Sequence, residues 1–234
     1  MEPRPWFAAN PLFHKRRGNP RATVEAVKEG LKYFGGTSKG VHGLLRAAPV
    51  CALALIPAAD DLREVVSLSV SLTHDTHYVA NPAILFCQLL ARLATSPTTE
   101  CLDVIVNLFS EAPVTKVDDY FTTAGGEVDV DHLRAIAANG RAHRVLAAGM
   151  YLATTSAELD SAIALAGGTA DGDGVAAVAG ALIGASTGVT PWMDEQFAKH
   201  EYAWQIEVLV RDLFVVALTT DEPLVAMTVR YPGW

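Results

Sequence analysis

Two aspartates, Asp171 and Asp173, stand two positions apart in a glycine-rich turn, where their carboxylates could bind a cation together. They lie in the run Gly-Gly-Thr-Ala-Asp-Gly-Asp-Gly over 167–174, directly before the small, mainly apolar residues of 175–188. Residues two positions apart point to different sides of a helix, so the carboxylates can converge only on a turn, which the glycines allow. Because clustered carboxylates on a turn suit magnesium or calcium, the pattern predicts a hard-cation site at Asp171 and Asp173.

A plainer interpretation of the same run is a turn followed by a capped helix. Asp173 is then the predicted N-cap, where a carboxylate accepts hydrogen bonds from free N–H groups and faces the positive end of the helix dipole. Gly180, Gly184 and Gly188 recur at every fourth position, so another helix is expected to lie close along this stripe. The pattern alone leaves both interpretations open.

Three other kinds of ion or phosphate site are excluded. An EF-hand loop requires a polar fifth residue and a glutamate at the twelfth, but Val175 and Leu182 stand there. A Walker loop requires Gly-Lys-Ser/Thr, which the sequence lacks. His74, Asp75 and His77 could suggest zinc, but no further His or Cys stands at a recognised spacing, so we reject zinc.

Helical periodicity runs through most of the chain, and alternating strand patterns are almost absent. The predicted helices cover 21–34, 44–56, 62–72 after the cap Asp60-Asp61, 83–94 opened by Asn81-Pro82, 97–110, 132–152 with a break near Gly140, 158–166, and the segments after Pro191. The last helices are expected to bury one apolar face, formed by Trp192, Phe197, Trp204, Ile206, Leu209 and Leu213. Arg46, on an apolar helix, is predicted either to join a structural ion pair or to lie close to a binding cleft.

The predicted fold class is all-α, a single orthogonal helical bundle. Residues 1–19 are predicted to form an irregular lead-in, 20–214 the helical domain, and 215–234 a C-terminal arm. The chain of 234 residues, half of them hydrophobic, is long enough to bury a substantial core.

The net charge and the cysteines limit the partners and the compartment. With 18 basic and 26 acidic residues the net charge is −8, which suits nucleic acid poorly, and the basic cluster at 14–17 is interpreted as a solvated arm. The most apolar run, 175–189, is shorter than the roughly 20 residues that cross a bilayer. Cys51, Cys87 and Cys101 form no CxxC motif and are interpreted as buried free thiols. The N-terminus lacks the apolar core of a signal peptide, so we expect a cytoplasmic protein without nucleic-acid or membrane partners.

Three stretches resemble, in order, the motifs of one family. The run Asp-Gly-Asp-Gly-Val-Ala-Ala-Val-Ala-Gly-Ala over 171–181 resembles a signature that usually reads Asp-Ala-Asp-Thr/Ser followed by Ala-Ala-Ile-Ala-Gly-Ala. The segment 38–49, Ser-Lys-Gly-Val-His-Gly-Leu-Leu-Arg-Ala-Ala-Pro, resembles Gly-Asn-Gly-x-Leu-Met-Arg-x-Ala-Pro, and 71–75 with Asn81 beyond resembles a Thr-His segment. These are motifs of the ADP-ribosylglycohydrolase family, dinitrogenase-reductase-activating type, and the resemblance covers about 21–214.

The resemblance implies a hydrolase that removes ADP-ribose from a modified protein or conjugate. Members hold a pair of magnesium ions, for which Asp171 and Asp173 would be ligands here, and the expected partner is ADP-ribose or an ADP-ribosylated protein. The resemblance assigns five residues to substrate binding: Gly40, His42, Gly43, His74 and Asn81. It leaves the catalytic residue unassigned.

The sequence departs from the family pattern at three places. The family's Gly-Asp-Ala-Leu-Gly segment and the Thr-Asp-Asp-Thr motif, which supplies further metal ligands, are absent, and Thr73-His-Asp-Thr76 matches the Thr-His segment instead. Gly174 stands where the family has a hydroxyl ligand, and Val41-His42 stand where it has Asn-Gly, so His42 is expected to narrow the ribose pocket. We therefore expect weak magnesium binding and poor hydrolysis, from an N-terminally truncated or degenerate member, unless another polypeptide completes the site.

Three hypotheses follow. The first is a hydrolase whose missing part is supplied by another chain or lies outside this sequence. The second is a catalytically inactive module that binds ADP-ribose or a modified protein, and the third is a structural or interaction protein. Helix faces left uncovered would favour a homo-oligomer.

Overall fold

The computed structural model describes residues 36–55, 62–95, 101–111, 117, 120–121, 127–156 and 158–218. Within these residues the chain forms ten α-helices and one 3-10 helix, with isolated β-bridges but no strand, so the all-α class is confirmed. The α-helices are α1 (His42–Ala47), α2 (Leu62–Ser71), α3 (Thr76–Thr95), α4 (Cys101–Glu111), α5 (Val130–Ile136), α6 (Ala142–Thr155), α7 (Leu159–Ala166), α8 (Gly172–Thr187), α9 (Pro191–Ala198) and α10 (Ala203–Leu218), and the 3-10 helix is Ala48–Leu55. None of the helices described here is long and apolar enough to cross a membrane.

The core centres on α6 and the helices packed around it, α8 and α3. Every residue of α6 from Val145 to Leu152 is buried. α8 approaches α6 at Gly149, where an added Cβ would lie 2.3 Å from Cγ1 of Val178. Glycine at this position therefore permits the close contact that brings the start of α8 to the site.

Along the glycine stripe of α8, the described residues place a neighbouring helix beside Gly180, where Leu159 of α7 lies. For the rest of the stripe, the close approach of another helix stays a prediction. A Cβ on Gly184 or Gly188 would meet no described atom within 4 Å, and one on Gly180 would only touch Leu159 at 3.4 Å. Gly188 has φ 73° and its N–H bonds the carbonyl of Gly184, so it serves as the helix C-cap.

Two helices differ from the predicted ones at a boundary that lies near a proline. The helix predicted over 44–56 is α1 followed by the 3-10 helix: Ala48 N–H already bonds the Leu45 carbonyl, and Pro49 has no N–H with which to continue an α-helix. The helix predicted to open at Asn81-Pro82 is α3, which begins earlier, at Thr76, and contains Pro82. It starts there because the Asp75 carboxylate accepts a hydrogen bond from His77 N at 3.0 Å.

The apolar face predicted for the last helices is exposed, which corrects another expectation. Trp204 is 71% and Leu209 54% exposed, and Trp192, Phe197 and Ile206 are also exposed, whereas Leu213 is half-buried. No residue of α9 is buried, and α10 packs mainly against the 3-10 helix among the described elements. These two helices therefore lie outside the core formed around α6.

Two further predictions concern the helix break near Gly140 and the cysteines. The break near Gly140 is confirmed, because α5 ends at Ile136 and α6 begins at Ala142. Cys87 is a buried free thiol, and Cys51 is free but only half-buried. Several predictions fall outside the described residues or side chains. They concern the lead-in, the 21–34 helix, the 14–17 cluster, the Asp60-Asp61 cap, the Cys101 side chain and residues 219–234. The division at 19/20 and 214/215 stays a prediction.

Candidate functional site

The two aspartates lie at the start of α8, but with different roles from those predicted. Asp171 is the N-cap residue, without a side-chain capping bond, and its carbonyl accepts the Val175 N–H at 2.9 Å. Asp173 lies inside the first turn of α8, so its prediction as the N-cap is wrong. The helix begins at Gly172, and Asp173 still lies near the positive end of the helix dipole.

The carboxyl groups of the two aspartates lie close enough to shift each other's pKa. Burial, and then the interaction with the Asp173 carboxyl, raise the pKa of Asp171 above its ordinary value. The same interaction is the main cause that lowers the pKa of Asp173, and backbone N–H groups at Gly174 and Asp173 lower it further. The pair is therefore asymmetric: Asp171 holds a proton more tightly, and Asp173 is the exposed, readily ionised member.

Two glycines leave the space in which the Asp171 carboxyl lies. A Cβ on Gly140 would lie 2.8 Å from Oδ2 of Asp171, and one on Gly174 would lie 2.8 Å both from that oxygen and from Cγ1 of Val41. A Thr or Ser side chain at 174 would therefore collide with Asp171 in the present arrangement. Gly140 was not among the predicted site residues, because this contact joins segments far apart in the sequence.

A short bridged segment, 38–41, links the aspartate turn to the corner after α2. On one side Ser38 bridges His74, and the Ser38 carbonyl accepts the Asp75 N–H at 2.9 Å. On its other side Val41 N–H donates to the Gly140 carbonyl at 3.1 Å. The segment thus connects the predicted substrate residues of 40–43 both to His74 and to the glycine that contacts Asp171.

His74 is buried and locks this corner in place. Its Nδ1 is hydrogen-bonded to Oγ1 of Thr73 at 2.8 Å, and its ring lies so close to Gly43 that a Cβ there would be 2.7 Å from Cγ. Burial, with smaller contributions from the charges of Arg46 and His42, lowers the pKa of His74 to about 4. His74 is therefore a neutral side chain that packs, and Arg46 lies beside the site.

The remaining predicted residues differ in their proximity to the aspartates. His42 is exposed at the start of α1, and its charge contributes, as a smaller cause, to the pKa of both Asp171 and Asp173. Gly40 bridges Arg141. Asn81 is exposed on α3, and no contact among the described residues joins its side chain to the others.

Lys39 lies in the segment 38–41 and makes a contact with α3, although it was not among the predicted site residues. Nζ of Lys39 lies over the ring of Tyr78, 3.6 Å from its centroid. Lys39 follows Ser38 in the bridged segment, and its carbonyl accepts the Ala142 N–H at 2.9 Å. Its position inside the segment 38–49 was the available sequence signal; its contact with α3 could not be seen in the sequence.

The side chains of Asp171 and Asp173 are of the type that binds a hard cation, but two carboxylates are too few to complete such a site. Asp171 and Asp173 supply carboxylate oxygens, the ligands that magnesium prefers. Among the residues that the structure describes, no group of three or more His, Cys, Asp or Glu side chains is arranged to hold a metal ion. These residues therefore fit part of a magnesium site.

The sequence profile described as ADP-ribosylglycohydrolase matches residues 4–222. The chain belongs to the ADP-ribosylglycohydrolase family. The match spans α1 to α10, so the Asp171–Asp173 turn, the 38–43 segment and the His74 corner all lie inside the family domain. No curated protein and no solved structure matches the chain.

Proposed function

We propose that this ADP-ribosylglycohydrolase family member binds ADP-ribose or an ADP-ribosylated conjugate and hydrolyses it weakly, with magnesium held by Asp171 and Asp173. The observation that carries the proposal is the pair of converging carboxylates at the start of α8 in a chain of this family. The three motifs that resemble the dinitrogenase-reductase-activating type support that subtype.

Each residue of the proposed site has a defined task. Asp173, which is exposed and whose pKa is lowered, offers its carboxylate to the cation first, and Asp171, whose pKa is raised, is the second ligand. A magnesium ion supplies Lewis acidity that helps to activate water and to stabilise the sugar cation of glycoside cleavage. Gly40, His42 and Gly43 form the wall on which the ribose lies, and His74 holds that wall through its contact with Gly43.

Low activity follows from the incomplete ligand set. A pair of metal ions needs several anionic ligands to offset its charge, and the described part of the chain gathers only two carboxylates at this turn. The family's Thr-Asp-Asp-Thr motif does not occur in the sequence. We therefore propose weak magnesium affinity, with full activity only if another polypeptide completes the site.

An inactive ADP-ribose-binding module is the second candidate. It is favoured by the mutual effect of the two carboxyl groups on their pKa values, since the raised pKa of Asp171 lessens the negative charge of the pair without a cation. Such a module would bind ADP-ribose with the same affinity in the presence and absence of magnesium. It also predicts no release of ADP-ribose from modified peptides.

Calorimetric titration of ADP-ribose, with magnesium and with EDTA, tests the proposal on the wild type and on Asp173→Asn. Asp194→Asn is the matched control, because Asp194 is an exposed carboxylate in the first turn of α9. Magnesium should strengthen binding by the wild type and the control but not by Asp173→Asn. Equal affinity with and without magnesium in the wild type would exclude the metal-dependent function and leave the binding module.

Hydrolysis is measured separately, by release of ADP-ribose from arginine- and serine-linked peptides. We expect slow, magnesium-dependent release that Asp173→Asn abolishes and Asp194→Asn preserves.

The free thiols support a reducing, cytoplasmic compartment. The exposed apolar side chains of α9 and α10 support self-association, which light scattering at micromolar concentration would test.

A further inference from the structure

We propose that Gly140 is a positioning residue, which holds the carboxyl group of Asp171 beside Asp173, where a cation would bind. The inference rests on the proposed function, in which Asp171 is one of the two cation ligands. Gly140 acts only through Asp171 and contributes no atom to the cation.

The Asp171 side chain lies against Gly140. A Cβ on Gly140 would stand 2.8 Å from Oδ2, 3.2 Å from Cγ and 3.6 Å from Cβ of Asp171, and these are the three nearest atoms that it would meet. Since carbon atoms in contact lie about 3.5–4.0 Å apart, a methyl group at position 140 would take space that the carboxyl group now occupies.

The carboxyl group is enclosed from the helix side as well. A Cβ on Gly174, in the first turn of α8, would stand 2.8 Å from the same Oδ2 and 2.8 Å from Cγ1 of Val41. Oδ2 therefore lies in a gap between Gly140 and Gly174 that residues without a side chain leave open. The Asp171 carbonyl accepts the Val175 N–H at 2.9 Å, so the backbone of Asp171 is bound to the helix.

The loop that carries Gly140, between α5 and α6, is held by two backbone hydrogen bonds. The Gly140 carbonyl accepts the Val41 N–H at 3.1 Å, and the Ala142 N–H donates to the Lys39 carbonyl at 2.9 Å. Moving this loop would break those bonds, whereas the Asp171 carboxyl can turn about its own side-chain bonds. A methyl group at position 140 would therefore displace the carboxyl group rather than the loop.

Magnesium binding to the full chain, measured by calorimetry, tests the positioning role without hydrolysis. Gly140→Ala is the test variant. Gly168→Ala is the matched control, because a Cβ on Gly168, three residues before Asp171, would meet nothing closer than the Leu165 carbonyl oxygen at 3.4 Å. We expect Gly140→Ala to weaken magnesium binding about 10-fold or more, as loss of a residue that orients a metal ligand usually does. Gly168→Ala should change it less than about 2-fold.

The NMR resonance of the Asp171 carboxyl carbon reports the position of this group in the metal-free protein. At fixed pH in EDTA, Gly140→Ala should shift the resonance, and Gly168→Ala should leave it nearly in place. The urea midpoint of Gly140→Ala should stay close to that of the wild type, because only one side chain has to turn aside. An unchanged resonance would overturn the positioning role, and so would a large fall of the midpoint, which would show that the loop yields instead.

Gly174→Ser tests the enclosure from the helix side. Serine would restore a hydroxyl of the type that the family signature carries, and a hydroxyl that acted as a ligand should strengthen magnesium binding. In this chain a Cβ at position 174 collides with Asp171 and Val41, so we expect the serine variant to bind magnesium more weakly than the wild type. Stronger binding would overturn the confinement of Asp171 between the two glycines.

The outcomes distinguish this inference from the proposed function. Magnesium binding by the wild type that Gly140→Ala leaves unchanged would overturn the positioning role and leave the proposed magnesium site. A wild type that binds no magnesium, but whose Asp171 resonance shifts in Gly140→Ala and not in Gly168→Ala, would contradict the metal-dependent function and support the placement of the carboxyl group by Gly140. Equal losses of affinity in these two variants would overturn the positioning role.

Discussion

Gly43 lies against the imidazole ring of His74, so closely that a Cβ on this glycine would stand 2.7 Å from Cγ of the ring. The contact joins α1 to the corner after α2, and both residues are buried. His74 cannot retreat easily, because Thr73 holds its Nδ1 at 2.8 Å. Together with the Ser38–His74 bridge, the contact therefore holds the start of α1 beside the corner after α2.

Gly43→Ala is expected to destabilise the protein. Forcing a methyl group against the ring should reduce the free energy of unfolding by about 1–3 kcal/mol, as overpacking usually does. Urea denaturation followed by circular dichroism measures the change. Gly184→Ala is the control, because a Cβ there meets no described atom within 4 Å; it should be neutral or stabilise α8 by up to about 1 kcal/mol. Equal loss in both variants would contradict the proposed contact.

Asp171→Asn is expected to stabilise the metal-free protein near neutral pH. The pKa of Asp171 is raised above 3.8, chiefly by burial, so its contribution to stability is present below that value and is lost as the pH rises through the raised pKa. Asparagine keeps the shape of the protonated group and cannot ionise. Denaturation midpoints in EDTA should therefore favour the variant at neutral pH and converge with the wild type as the pH falls towards 3.8.

The control for that experiment is Asp194→Asn, whose carboxylate is exposed on α9. Asparagine at this exposed position should change the midpoint much less than Asp171→Asn does. If Asp171→Asn were less stable than the wild type near pH 7, the ionised form of Asp171 would have to be the favoured one in the metal-free protein. The asymmetry of the carboxyl pair would then be wrong.

His74→Gln is expected to remove part of the acid sensitivity of the fold. Because the pKa of His74 is lowered from 6.5 to about 4, the unfolded chain binds a proton in that interval that the folded chain does not. The stability that His74 contributes is present above 6.5 and is lost as the pH falls through about 4. The pH dependence of the unfolding free energy between these limits should be smaller in the variant by about one proton. His200→Gln, at an exposed histidine, should leave that slope nearly unchanged.

Cys87 is expected to resist alkylation in the folded protein. Burial, with a smaller contribution from Cys51, raises the pKa of Cys87 to about 12, and its Sγ donates to the Ala47 carbonyl at 3.1 Å. Since the thiolate is the nucleophile, iodoacetamide at about pH 8 should modify Cys87 at least about 10-fold more slowly than the half-buried Cys51. Peptide mapping by mass spectrometry measures both rates. In denaturant the two thiols should react alike.

The sequence was sufficient for the local features of the fold. Apolar spacing predicted α7 within one residue at its start, and the glycine between α5 and α6 predicted the break there. Periodicity could not predict that Pro82 lies inside α3, because Asp75 starts that helix about two turns before the predicted start at Ala83. It marked an apolar face on α10 without showing whether another element covers it.

Long-range contacts limit what the sequence could say about the site. The glycine-rich turn was enough to predict that the two aspartates lie together. Gly140 contacts Asp171, and Lys39 contacts Tyr78, across large separations in the chain. A local pattern holds no information on such pairs. For the same reason Asn81, placed by resemblance beside the others, is joined to them by no contact in the described residues.

The bridged segment 38–41 has a kinetic consequence. It is hydrogen-bonded to Asp75 on one side and to Gly140 and Ala142 on the other, so each bond closes a long loop whose entropy must be overcome first. Helices such as α6 and α8 can form earlier from local interactions. We therefore expect a refolding chain to regain its helical signal before the bonds of segment 38–41, and an excised α6–α8 fragment to carry both aspartates without the other residues of the proposed site.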